Sequence, residues 1–249
     1  MAIHEALDAV PHRRKRAPTT KAENSKGNPI FQDVTATSGL PSVASRNGDV
    51  NINDYNNDGW PDIAAGVAVS RTRPALFRSL GLTNGVPHFA VPAGVGELKD
   101  AADAQGQSHH GLPVAAADYN KDGRLDIFFD YFFNNVDGQL LLRNETESGH
   151  WLSLGRALGG GIGAKVSVYR AGGLGDPNAL IGQREIAATD GYTAGVPDDA
   201  HFGLGANTAV DVRVTLPPDA RGLATNGVIE LRNVPVDQYL RLPSGCGGS

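Results

Sequence analysis

The chain has 249 residues, with Gly 32, Pro 15, one cysteine and a formal net charge of −5. That length holds one large or two modest domains, and the high Gly and Pro content with turn signals every ten residues or so indicates an all-β protein. An acidic balance argues against nucleic acid and anionic membrane as partners, no apolar run reaches membrane-spanning length, and the single Cys246 excludes an intrachain disulfide.

Residues 1–29 show no strand or helix pattern and read as a flexible basic arm. Six Lys/Arg stand against three Asp/Glu in residues 1–30, leaving 16 against 24 over the rest, a net of −8. Arg13-Arg14-Lys15-Arg16 suits a processing site or an anion patch, with solvated disorder as the simpler account. No secretory apolar region follows Met1, so export would use another route, or the chain is internal to a longer product.

From Phe31 the pattern changes. Phe31–Thr35 alternates as a strand would, and Ser38-Gly39-Leu40-Pro41 turns. Short strands are expected at Asp49–Ile52 and Ile63–Val69, flanking the loop Asp54-Tyr55-Asn56-Asn57-Asp58-Gly59-Trp60-Pro61-Asp62. The loop recurs 64 residues later as Asp118-Tyr119-Asn120-Lys121-Asp122-Gly123-Arg124-Leu125-Asp126, between strands expected at Val114–Ala117 and Ile127–Phe133. Arg73–Gly81 and Gln139–Asn144 follow as further strands, and Gly94–Leu98 echoes the opening. Residues 30–148 therefore hold two sheet repeats of about 60 residues, a period that indicates propeller blades or a β-array.

Each loop sets oxygen side chains at positions 1, 3, 5 and 9 and glycine at position 6. Asp54, Asn56, Asp58 and Asp62, and likewise Asp118, Asn120, Asp122 and Asp126, would repel one another without a cation. Trp60 and Arg124 at position 7 would face away and add only a backbone carbonyl. With water, this set reaches the six to eight oxygens Ca²⁺ accepts, whereas Mg²⁺ demands a stricter octahedron. Two Ca²⁺ sites are expected. The plainer account is that Asp, Asn and Gly cap their own turn without metal. An EF-hand is excluded, because position 12 is Ala65 or Phe129 and strands flank the loops.

Trp151 opens a different block. Lys165–Tyr169, Val210–Leu216 and Val228–Leu231 alternate between Pro and Gly punctuation, as in a small β-sandwich or barrel over residues 149–243, with a tail at 244–249. Gly159–Lys165 lacks the Gly-Lys-Ser/Thr ending and the helix of a phosphate loop. His109-His110 has no evident third ligand. His201 follows Asp198 and Asp199, but without a nucleophile elbow it reads as part of a turn beside Phe202. Asn144-Glu145-Thr146 is a glycosylation sequon.

The Phe31-x-Asp33-Val34-Thr35 opening, both Asp-Tyr-Asn-x-Asp-Gly-x-x-Asp-Ile loops and Leu76-Phe77-Arg78-Ser79-Leu80-Gly81 resemble FG-GAP-like (VCBS) repeats. His150-Trp151-Leu152, Gly161–Val166, Gly191-Tyr192, His201–Gly205 and Val234-Pro235…Tyr239-Leu240 resemble the ASPIC/UnbV domain, and the order of the two resembles cartilage acidic protein-type proteins. The resemblance implies calcium on the eight loop side chains, an extracellular or cell-surface setting and no established catalytic residues. Two repeats fall short of the four or so blades a propeller needs, and open edges invite pairing. The expected function is a non-enzymatic calcium-binding structural or adhesion module that associates with itself, another extracellular protein or a glycan. A calcium-dependent glycan-binding module, marked by exposed Trp60, Tyr55 and Tyr119, and a calcium-dependent hydrolase or lyase are the alternatives.

Overall fold

Fourteen strands and three short 3₁₀ turns make up the described part of the chain, and none of its sheets closes into a barrel. The structure is a computed structural model describing residues 31–40, 49–66, 75–91, 111–133, 136–155, 162–187, 199–218 and 225–241. The arm at 1–29 with Arg13–Arg16, the Gly94–Leu98 echo, His109-His110, Gly191-Tyr192, Asp198 and Cys246 lie outside those residues.

The first sheet runs β1 (Val50–Asn53), β2 (Asp62–Ala65), β3 (Ala75–Thr83), β4 (Val86–Ala90), in that order and antiparallel. The second runs β5 (Gly111–Ala117), β6 (Asp126–Phe133), β7 (Val136–Leu142). Each acidic loop is the hairpin connection of its sheet, closed by the pairs Asn53–Asp62 and Ala117–Asp126. Strand periodicity puts Ala64 and Leu76 on one face of the first sheet, and Val114, Ala116, Ile127 and Phe129 on one face of the second. These faces pack together with Tyr55 and Leu125 as one core. Asn84-Gly85 turns β3 into β4 with φ of 53° and 77°, the left-handed pair that a two-residue hairpin requires.

The remaining strands build a two-sheet sandwich. One sheet orders β10 (Leu180–Glu185), β9 (Lys165–Arg170), β12 (Ala209–Thr215), β13 (Val228–Pro235); the other orders β11 (Asp199–Gly205), β8 (His150–Gly155), β14 (Gln238–Arg241). All pairs are antiparallel except β14 with β8. Leu152, Leu154, Val166, Val168, Val210 and Val212 are fully buried between the sheets. Burying a side chain of this size stabilises by about 1.5–3 kcal/mol. Asp211, between two of those valines, is also buried. Its carboxylate accepts the Asn233 and Gly172 amides at 2.8 and 3.0 Å, so it is satisfied locally.

The Phe31–Thr35 strand does not form. Asp33 Oδ1 accepts the Thr35 amide at 3.0 Å, the Thr37 hydroxyl donates to the Val34 carbonyl, and Thr35–Thr37 becomes a 3₁₀ turn. Short polar side chains here offer the backbone a local alternative to a ladder, and Phe31, 89% exposed, buries no face that would favour one.

Candidate functional site

Both acidic loops adopt the same conformation bond for bond. Position 4 takes left-handed backbone, φ 56° at Asn57 and 62° at Lys121, and the glycine at position 6 follows at 93° and 86°. The first carboxylate turns into the loop. Asp54 accepts the amides of Asp58 at 3.1 Å and Gly59 at 2.7 Å; Asp118 accepts those of Asp122 at 3.0 Å and Gly123 at 2.7 Å. Asn56 and Asn120 accept the Asp58 and Asp122 amides, and those aspartates in turn cap Trp60 and Arg124, both at 2.9 Å. The last carboxylate ties the loop to its sheet. Asp62 takes Tyr55 N and Ser79 N, and Asp126 takes Tyr119 N and Asn144 N.

The self-capped turn weighed from the sequence is thus present in both copies. Among the described residues no three His, Cys, Asp or Glu side chains form a group that could hold a metal ion. A cation would draw the Asn56 and Asn120 amides, a backbone carbonyl and water into its shell. The donor set fits a hard cation in composition, being oxygen throughout. Its electrostatics fit as well. Burial pushes the Asp54 carboxyl up to about 7, with Asp58 and Asp62 adding to the rise. Asp62 is raised to about 6, and Asp126 is raised too, burial coming first in each case. Negative charge that is desolvated and crowded in this way is relieved by a nearby divalent ion.

Position 7 departs from expectation in one copy. The Trp60 side chain does face out, 43% exposed and against Gly81. Arg124 instead folds back, its Nη2 on Asp122 Oδ2 at 2.5 Å and its Nε on the Asn144 carbonyl at 2.8 Å. The long guanidinium reaches a carboxylate two residues away that an indole cannot pair with. Arg78 approaches Asp58 more loosely, at 3.9 Å. Tyr55, expected as an exposed aromatic, is buried, with its hydroxyl on Asn51 Oδ1 at 3.0 Å. Tyr119 is half exposed.

The loops also meet each other and the sandwich. Asn57, fully buried, donates from Nδ2 to the Gly123 carbonyl at 2.8 Å, and its Oδ1 lies 2.8 Å from His201 Nε2. Gly205 N bonds the Asn57 carbonyl and Gly149 N that of Asn56. Gly203 lies so close that a Cβ there would stand 1.9 Å from Asp54 Oδ2. Tyr239, from the last described strand, donates to Asp118 Oδ2 at 2.5 Å; burial first, and then this bond, drive its phenol pKa upward. Trp151 stacks on His201 at 5.9 Å and meets Tyr239 edge-on at 5.1 Å, and Lys121 Nζ sits 5.6 Å above the Tyr239 ring. His201 therefore occupies the middle of β11 rather than a turn, because its ring bridges the first loop and Trp151. Asn144 is a strut of the same seam. Its Nδ2 donates to the carbonyls of Tyr55 at 2.7 Å and Leu125 at 3.0 Å, so the sequon nitrogen is already committed. Sequence spacing pointed to none of Asn57, His201, Trp151 or Tyr239 as a seam residue.

Residues 54–129 match the FG-GAP-like repeat family, and residues 159–247 match ASPIC and UnbV. No curated protein matches the chain. FG-GAP-like repeats are typical of extracellular and surface proteins. Among the described residues no helix is long and apolar enough to cross a membrane. With two congruent acidic loops in blade-like sheets and a sandwich docked on them, the chain is an FG-GAP-like β-repeat protein with a C-terminal ASPIC and UnbV domain.

Proposed function

We propose that this chain is a non-enzymatic, calcium-binding structural or adhesion module that works outside the cell. One observation carries the reading. Two loops 64 residues apart present the same oxygen side chains in the same conformation, with Asp54 and Asp62 held in an environment hostile to their negative charge. Asp54, Asn56, Asp58 and Asp62 would hold one Ca²⁺, and Asp118, Asn120, Asp122 and Asp126 the other, with the Trp60 and Arg124 carbonyls contributing. The ion supplies positive charge where the fold has concentrated negative charge, and so fixes the blades against the sandwich. Sites with Kd of about 10⁻³–10⁻⁴ M at about 1 mM calcium add roughly 0.4–1.4 kcal/mol each, and cytosolic calcium would leave them empty.

Among the described residues one His–Asp pair has a structural task that agrees with a non-catalytic role. His150 Nδ1 lies 2.7 Å from Asp237 Oδ2, but Asp237 also accepts the Trp151 amide at 3.1 Å and joins the start of β14 to β8. Self-association is part of the proposal. The two blade sheets bury one face each against the other, while Val50 and Ile52 on the first and Phe128 and Leu141 on the second stay exposed. A single monomeric species by light scattering in calcium would contradict that part.

The test of the calcium reading uses Asp58→Ala and Asp122→Ala. Each aspartate also caps a loop amide, so each variant loses about 0.5–1.5 kcal/mol without metal. In millimolar calcium the loss grows by the site's ion contribution. Equal losses in calcium and in chelator would refute the reading.

A further inference from the structure

In each acidic loop the opening carboxylate touches the sandwich, and the two contacts differ in kind. In the first loop the neighbour is Gly203 of β11, whose backbone comes so near Asp54 Oδ2 that no side chain would fit between them. In the second the neighbour is Tyr239 of β14, which donates its hydroxyl to Asp118 Oδ2 at 2.5 Å. Pairing with β8 carries Tyr239 to that place, opposite Ser153. Two further contacts hold the ring itself, Trp151 edge-on at 5.1 Å and Lys121 Nζ at 5.6 Å from its centroid.

A carboxylate has about two acceptor positions on each oxygen. Asp118 Oδ2 uses both, one for the Gly123 amide at 2.7 Å and one for the Tyr239 hydroxyl. Oδ1 accepts the Asp122 amide alone, at 3.0 Å, and keeps one position open. The hydroxyl thus decides which oxygen the second loop offers to a cation, and it fixes the rotation of the carboxylate. Asp54 is held by another route: the Gly59 amide takes one position on its Oδ2 at 2.7 Å, and the Gly203 backbone crowds that oxygen. A donor on the far oxygen also draws some charge from the ligand. Orientation outweighs that loss, because partners that hold a metal ligand in place raise affinity by about 10–100-fold.

We propose that Tyr239 is a positioning residue for the second calcium loop. Its hydroxyl holds Asp118 so that Oδ1 is the oxygen offered to the ion, and the sandwich thereby sets the affinity of a site built from the blade. The inference rests on the calcium reading above. By linkage, an ion in that loop strengthens the Tyr239–Asp118 bond by the same factor through which the bond strengthens the ion, so calcium tightens β14 on the second blade.

The test is a calcium titration of the full chain by amide ¹⁵N NMR, in the parent and in Tyr239→Phe. Gly59 and Gly123 each donate to the opening carboxylate of their own loop, so each amide reports one site. Phenylalanine keeps the ring and removes only the donor. The Gly123 midpoint should move to calcium at least about tenfold higher, while the Gly59 midpoint stays in place. An unmoved Gly123 midpoint would overturn the assignment. So would equal weakening of both loops, which would mark Tyr239 as a general support of the fold. In the parent, the ¹³Cζ resonance of labelled Tyr239 should follow the Gly123 midpoint, and a resonance indifferent to calcium would overturn the assignment without any variant. Two glycine amides that both ignore calcium in the parent would sink the calcium reading and this inference together. Two that titrate in the parent and do not respond to the substitution would sink this inference alone.

Discussion

Asn57→Ala strikes the point where both acidic loops and the sandwich meet. The side chain is fully buried and makes two bonds of 2.8 Å, one to the Gly123 carbonyl of the second loop and one to His201. Truncation strands both partners, at about 1–3 kcal/mol each. The residue also sits at φ 56°, where asparagine is tolerated and alanine costs about 1 kcal/mol more. The expected loss is roughly 3–7 kcal/mol, which for a chain of this length lowers Tm by roughly 6–28 °C. Urea melts followed by tryptophan fluorescence report it directly, because Trp151 stacks on His201 beside the lost bond. Asn57→Gly separates the two causes, since it relieves the backbone but not the missing bonds and should recover only about 1 kcal/mol. An alanine variant within about 0.5 kcal/mol of the parent would show that the seam does not hold the loops, and the reasoning would fail.

Gly203→Ala should undock the sandwich from the first loop, because its Cβ would fall 1.9 Å from Asp54 Oδ2 and 2.5 Å from the Asn57 backbone. Calorimetry should then show two separate unfolding transitions in place of a coupled one, and a single transition at the parental Tm would count against the docking. Acid should weaken the fold through His201. Its pKa is lowered to about 4 from an ordinary 6.5, so the unfolded chain binds the proton first and stability falls as pH drops through that window, by up to about 3 kcal/mol. Asp54 and Asp62, raised to about 7 and about 6, act with the opposite sign over part of the same range. The comparison with His201→Gln isolates the histidine, and identical pH profiles in parent and variant would refute its burial as a neutral ring.

Much of the architecture is written in local patterns. The loops are legible because the caps that turn them lie within nine consecutive residues, and Asp54 and Asp118 find their amide partners four and five positions on. β9, β12 and β13 are legible because valine, isoleucine or leucine recurs at every second position between polar or aromatic residues. β11 gives no such signal. It is buried along nearly its whole length, with Phe202 and Leu204 in the sandwich core and His201 and Gly203 against the first loop, so hydrophobic and polar residues do not alternate by solvent. Asn57 and His201 are 144 residues apart, and nothing local marks either as a partner of the other. The Phe31–Thr35 alternation misled for the converse reason: a strand pattern needs a neighbour, and Asp33 and Thr37 close their own turn first.

Isothermal calorimetry of calcium into the chelator-stripped full chain tests the central claim most directly. Two equivalents bound in the 10⁻³–10⁻⁴ M range or tighter, with a rise in Tm that Asp54→Asn and Asp118→Asn each cut by half, is the predicted result. Absence of binding heat together with an unchanged Tm in millimolar calcium would leave both loops as turns closed by their own carboxylates, and would contradict the account.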